Sequence, residues 1–154
     1  MIGKLPFRLR PPQVAALLLA TGLLAGCQTL ESGDLIASSA PAELAAPDAT
    51  AVAGDLVPRL AEQIGPGTAT IVLKPDGSVF GSALETSLRT WGYAVTAEQN
   101  AEDVKAIRLA YVLAPVDGQI LARLSTGSVE IGRIYTTTAT GAAPASPVSI
   151  MKRG

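Results

Sequence analysis

Apolar residues recur along this chain in three different rhythms, and each rhythm fixes a different kind of segment. Val14 to Leu24 is a mostly apolar run preceded by Lys4, Arg8 and Arg10. A transmembrane helix needs about 20 apolar residues to cross about 30 Å of hydrocarbon, so this run is too short to span and suits the apolar core of a signal peptide. Further on, Val52, Leu56, Leu60 and Ile64 recur four apart with Ala53 and Val57 beside them, predicting a helix over residues 51–64 that Gly65-Pro66-Gly67 stops. Pro58 falls inside it and predicts a kink or a helix start close to it, since an interior proline loses a hydrogen bond and costs about 3 kcal/mol. A second helical stripe, Phe80, Ala83, Leu84, Leu88 and Trp91, follows a capping Ser78 and ends at Gly92, with Trp91 read as core.

Alternation marks the strands. Ala69, Ile71 and Leu73 share one face ahead of the turn Lys74-Pro75-Asp76-Gly77, and Tyr93 to Thr96 forms a short strand after the second helix. Strand, helix, strand in that order predict a parallel crossover. Three more strands are expected at 106–113, 119–125 and 129–138, joined by hairpin turns at Asp117-Gly118 and Gly127-Ser128. Val129 and Ile131 fall in one phase and Ile134 in the other, which predicts a bulge at Gly132. The fold class is α+β: two helices on one face of a mixed, mainly antiparallel sheet of about five strands.

Outside those rhythms the chain is irregular. Residues 27–50 and 141–154 are rich in Ala, Pro and Ser with little periodicity, and read as a flexible linker and a C-terminal tail. The organisation is a leader over 1–26, a linker over 27–50, an α+β periplasmic domain over 51–140 and a tail over 141–154. In that tail Ile150 and Met151 are the candidate anchors for a partner, and Thr136, Thr137 and Thr138 suggest a sheet edge open to a neighbouring strand.

The one cysteine, Cys27, stands directly behind the first apolar run, in Leu24-Ala25-Gly26-Cys27. Leu24, Ala25 and Gly26 form the recognition site of a signal peptidase: small residues leave the backbone accessible, and a thiol at the cut is the nucleophile that lipid transfer requires. Cys27 is therefore expected to carry a thioether diacylglycerol and an N-linked acyl chain such as palmitate. An Asp after the cysteine retains enteric lipoproteins in the inner membrane, so Gln28 points to the periplasmic face of the outer membrane.

Composition narrows the chemistry. Loss of Lys4, Arg8 and Arg10 with the leader turns 12 basic against 13 acidic residues into an acidic excess of about four. Direct nucleic-acid binding, which rests on clustered Lys and Arg, is disfavoured. With no histidine the commonest general base and metal ligand are missing, and with Cys27 acylated no thiol remains for catalysis or zinc. No cofactor or metal is expected beyond the lipid, and no disulfide. Ser149 and Lys152 match a Ser-x-x-Lys pattern without its companion motifs, and Glu98, Glu102 and Asp103 form an acidic cluster without calcium-loop spacing. Neither supports an enzyme. One rival reading is an accessory lipoprotein that carries a lipid or glycan in a pocket lined by Phe80, Leu84 and Leu109.

Longer strings carry a resemblance. Leu24-Ala25-Gly26-Cys27, Ala53-Gly54-Asp55-Leu56 running into Arg59-Leu60-Ala61-Glu62-Gln63-Ile64-Gly65-Pro66-Gly67, Trp91-Gly92-Tyr93-Ala94-Val95 and Leu121-Ala122-Arg123-Leu124-Ser125 are similar to the TrbH lipoproteins of conjugal transfer systems. Thr138-Ala139-Thr140-Gly141 and Ala145-Ser146-Pro147 extend the resemblance almost to the end. It implies a non-enzymatic part of a mating-pair-formation apparatus, a type IV secretion system for plasmid DNA, working within a multi-subunit assembly among other channel proteins.

Overall fold

The computed structural model describes residues 37–41, 43–97 and 105–154. Leu24, Ala25, Gly26 and Cys27 lie outside them, as do Glu98, Glu102 and Asp103. The described residues belong to one compact unit.

Helix α1 spans Ala46–Ile64, five residues earlier than the apolar rhythm predicts. Pro47 sits in its first turn, where a missing N–H costs nothing, and Asp48 favours the positive end of the helix dipole. Ala49 and Val52 are already fully buried there, so tertiary packing extends the helix into a stretch whose composition reads as linker. Pro58 lies within α1 without ending it. Strand β1 (Thr70–Leu73), helix α2 (Val79–Thr90) and strand β2 (Ala94–Thr96) form the expected crossover, with β1 and β2 parallel. Ser78 caps α2, its Oγ accepting from the Gly81 amide at 2.9 Å.

Strand β3 (Ile107–Val116) pairs parallel with β1 and antiparallel with β4 (Gln119–Ser125), which pairs antiparallel with β5 (Val129–Thr138). Asp117 and Gly118 both take positive φ, 48° and 76°, as a two-residue hairpin turn requires. The β4–β5 register runs unbroken from Ser125↔Glu130 to Ile120↔Tyr135, so there is no bulge at Gly132. Ile134 simply faces the side of the sheet away from the helices, opposite Leu121.

The largest departure is at the C-terminus. Gly141–Pro144 is strand β6 and Ser149–Lys152 is strand β7, and both pair antiparallel with β5. Among the described residues the sheet therefore has seven strands, ordered β2-β1-β3-β4-β5-β6 with β7 also beside β5. Its composition hides this, because an edge strand held by backbone hydrogen bonds needs neither apolar alternation nor β-branched residues. At the other end of the domain, Ser39 makes a parallel bridge to Val112, so part of the expected linker is joined to the sheet.

One face of the sheet and both helices enclose the core. Leu109, Tyr111 and Leu113 of β3, Ala122 and Leu124 of β4, and Val129, Ile131 and Tyr135 of β5 meet Leu56, Leu60, Phe80, Leu84 and Leu88. Phe80 and Tyr111 pack edge to face with centroids 5.0 Å apart. Trp91, expected in this core, is 48% exposed. It is the residue at which α2 ends, one position past the regular helix, and the buried stripe stops at Leu88.

Candidate functional site

The C-terminal segment is the open edge of the sheet beyond β5, and it is built in two halves. Thr136, Thr137 and Thr138 do not form that edge: Ala143, Ala142 and Gly141 of β6 pair with them. The Ala145 amide donates to Ile134 O at 2.8 Å, and antiparallel alternation then turns Ala142 and Pro144 outward. Pro144 has no N–H to offer a further strand, which blunts this half. Between β6 and β7 the chain bulges by two residues, since paired positions shift from Tyr135↔Pro144 to Gly132↔Ser149.

The bulge is tied down by charge. Arg133 donates from Nη1 to Asp55 Oδ2 of α1 at 2.9 Å and from Nε to Ser146 O at 2.7 Å, while Ser146 Oγ accepts from the Ile134 amide at 3.0 Å. Tyr135 Oη donates to the same Asp55 Oδ2 at 2.8 Å. Burial and then the hydrogen bond to the Asp55 carboxylate push the Tyr135 hydroxyl well above its ordinary pKa. One carboxylate thus joins α1, β5 and the turn between the two edge strands.

In β7 the Arg153 amide donates to Ser128 O at 2.8 Å, so the amides and carbonyls of Ile150 and Lys152 point outward. All four side chains of β7 are exposed, with Ile150 at 41% and Met151 at 58%. Met151 lies on the sheet face away from the helices and borders a cleft of ≈ 260 Å³ with Leu121, Gly132, Ile134 and Pro147. Glu130 closes the cleft, paired with Arg123 at 3.4 Å and Arg153 at 2.6 Å. The result is a short apolar edge next to an apolar cleft, a surface that main-chain pairing and side-chain packing can both engage.

Other candidates resolve into structure. Ser149 and Lys152 are three apart on a strand, opposite Gly132 and Val129, so they project from opposite faces and cannot act as a nucleophile and its base. A cleft of ≈ 150 Å³ lies at the ends of β1 and β2 beside the start of α2. There Asp76 Oδ1 accepts from the Ser78 amide at 2.9 Å, and Ser78 Oγ lies 3.1 Å from Tyr111 Oη. Burial pushes the Asp76 carboxyl up, but hydrogen bonds from Ser78, Tyr111 and the Ser78 amide outweigh it and hold it below its ordinary value. Burial and the Asp76 hydrogen bond push the Tyr111 hydroxyl up. This network caps α2 and pins it to β3. Phe80, Leu84 and Leu109, the residues of the lipid- or glycan-carrier reading, are buried at 0%, 0% and 3% and line none of these clefts.

Comparison with known proteins extends the resemblance in the sequence. A family model described as "Conjugal transfer protein TrbH" matches residues 30–154, which takes in β6 and β7. The "Probable conjugal transfer protein TrbH" of Sinorhizobium fredii (strain NBRC 101917 / NGR234) is 53% identical over 136 residues, covering 85% of this chain and 91% of its own. No solved structure matches. With a family match through both edge strands and identity of this order over most of its length, the chain belongs to the TrbH family of conjugal transfer proteins.

Proposed function

We propose that this conjugal transfer protein is a lipoprotein held at the periplasmic face of the outer membrane by acylated Cys27, and that it is a non-catalytic structural component of a conjugative type IV secretion apparatus. The observation that carries the reading is Leu24-Ala25-Gly26-Cys27 behind a short apolar run and three basic residues. The folded unit supports it with the β7 edge, where Ile150 and Met151 are offered to other channel proteins of the assembly.

Distance fits the scheme. Ser38 is already engaged, its Oγ accepting from the Tyr111 amide at 3.3 Å. Residues 28–37 are thus the whole connection to the anchor, and about ten residues span at most roughly 35 Å in any conformation. The domain is held within that distance of the bilayer, closer than a linker reaching residue 50 would allow.

The experiment is Cys27→Ser in donor cells. The variant is expected to leave the membrane fraction and lower plasmid transfer. Membrane association and transfer at wild-type levels would refute anchoring as the mechanism. A carrier of lipid or glycan is the weaker reading, because the interior it needs is filled by Phe80, Leu84 and Leu109.

A further inference from the structure

Strand β7 offers a neighbour main-chain groups that the sheet does not use. Ser149–Lys152 pairs in unbroken register with 129–132, and the Arg153 amide bonds to Ser128 O. The amides and carbonyls of Ser149 and Met151 are therefore engaged with β5, while those of Ile150 and Lys152 face outward. Two donors and two acceptors two residues apart match the repeat of an extended backbone. Proline blunts the edge elsewhere, at Pro144 and Pro147, but none falls within Ser149–Lys152. The open stretch is short and bounded by Pro147, which limits a pairing strand to a few residues.

The side chains of β7 say what such a strand carries. Ile150 lies opposite Ile131 and Lys152 opposite Val129, on the helix side of the sheet. Met151 lies opposite Glu130, on the far side, beside the cleft of Leu121, Ile134 and Pro147. A paired strand thus sets apolar residues beside Ile150 and Met151, and its next residue beside Lys152. Among the described residues Lys152 forms no salt bridge. Glu130 is taken by Arg123 at 3.4 Å and by Arg153 at 2.6 Å. Arg123, Lys152 and Arg153 around that one carboxylate make this end basic, although the chain as a whole carries a formal charge of −1. An acidic residue beside Lys152 is the complement.

Direction follows from the sheet. The half that β7 joins is antiparallel and has helices on one side only, whereas parallel strands occur where both faces are covered. Read from its own N-terminus, the incoming antiparallel strand is acidic, apolar, apolar. A second β7 does not fit this pattern. Joining the same open groups antiparallel sets Lys152 of each copy opposite Ile150 of the other, with the two lysines diagonal neighbours about 7–8 Å apart on one face. Like charges so placed repel.

We propose that β7 is the docking edge for an extended segment of another protein of the transfer apparatus, which adds to the sheet antiparallel to β7 with an acidic residue beside Lys152. This rests on the reading of the chain as a structural component, and it states the chemistry of what that component binds.

Donor-cell envelopes and the purified full chain test it. Carbodiimide joins an ammonium to a touching carboxylate as an amide, with loss of water. In envelopes it is expected to link Lys152, within the tryptic peptide 134–153, to an Asp or Glu of a different protein. Lys152→Arg should lose that link and keep plasmid transfer, whereas Lys152→Glu should lower transfer about ten-fold or more. Ile150→Pro removes an outward amide that the sheet does not use, so transfer should fall likewise while the melting temperature stays within a few degrees of wild type. Hydrogen exchange at the Ile150 and Lys152 amides should be fast in the purified chain and at least about ten-fold slower in the assembled apparatus. All variants should stay in the membrane fraction with the wild type, which separates failure of this edge from failure of the anchor. Three outcomes overturn the proposal and leave the anchored component standing: wild-type transfer in both Ile150→Pro and Lys152→Glu, a link to a second copy or to no protein, or equal exchange at the two amides with and without the apparatus.

Discussion

Replacing Asp55 with alanine tests how the edge of the sheet is held. The substitution leaves the Tyr135 hydroxyl, on a residue with 0% exposure, without its acceptor, and it removes the counter-charge of Arg133. A buried hydroxyl stripped of its partner costs about 1–3 kcal/mol. Breaking a fully buried ion pair costs about 3–5 kcal/mol, but the Arg133 and Asp55 side chains are 19% and 24% exposed and Arg133 keeps Ser146 O, so a smaller share applies. The sum is about 2–4 kcal/mol, or roughly 10 °C in Tm for a domain of this size. Urea denaturation followed by circular dichroism reads it directly. Tyr135→Phe alone should cost about 1 kcal/mol, and the double variant less than the sum of the singles. A loss below about 0.5 kcal/mol for Asp55→Ala, the size of an ordinary surface change, would refute the reasoning. The same cluster sets a pH dependence. The folded-state pKa of Tyr135 is raised, by burial first and by Asp55 second. Its contribution is therefore full below the unfolded value of about 10 and is lost as pH climbs toward the folded value, and Asp55→Ala should make that alkaline loss shallower.

Removing residues 141–154 should lower Tm by more than about 10 °C, because it uncovers one side of β5 and strips Arg133 and Ile134 of Ser146; a dispensable tail would leave Tm almost unchanged, and calorimetry distinguishes the two. Ser78→Ala removes the cap of α2 and the partner of Tyr111, and should cost about 1–2 kcal/mol in chemical denaturation. Ile150→Lys, at a position 41% exposed, should leave the melting curve within a few degrees of wild type while lowering plasmid transfer and co-purification of channel proteins; unimpaired transfer would remove β7 from the proposed contacts.

The parts of the fold legible in the sequence are those where burial writes a period. The stripe Val52, Leu56 and Leu60, the alternation through Leu109, Tyr111 and Leu113, and the Asp117-Gly118 turn are each dictated by a local requirement, and the structure follows them. Trp91 escaped because a period says which residues share a face, and not where a helix leaves the core. Ile134 misled for a related reason: Leu121 and Pro147 give the far side of the sheet apolar contacts of its own, so an apolar residue in the second phase needs no bulge. Strands β6 and β7 escaped because their order comes from the β5 backbone, Arg133 and Ser146, and the Ala139-Thr140 turn is marked only by Gly141, at φ 137° in the first position of β6. Of the candidate site, Ile150 and Met151 were legible as exposed apolar residues in a polar stretch. That they sit on an edge, while Thr136 to Thr138 are covered, depends on pairing between residues that no local pattern specifies.

The central claim is the covalent anchor, and the mass of the N-terminal peptide tests it most directly. No lysine or arginine lies between Cys27 and Arg59, so trypsin releases residues 27–59 as one peptide from protein extracted from membranes. The account predicts that this peptide begins at Cys27 and carries the mass of a diacylglycerol and one further acyl chain. A free thiol at Cys27, or a peptide still joined to Gly26, would contradict it.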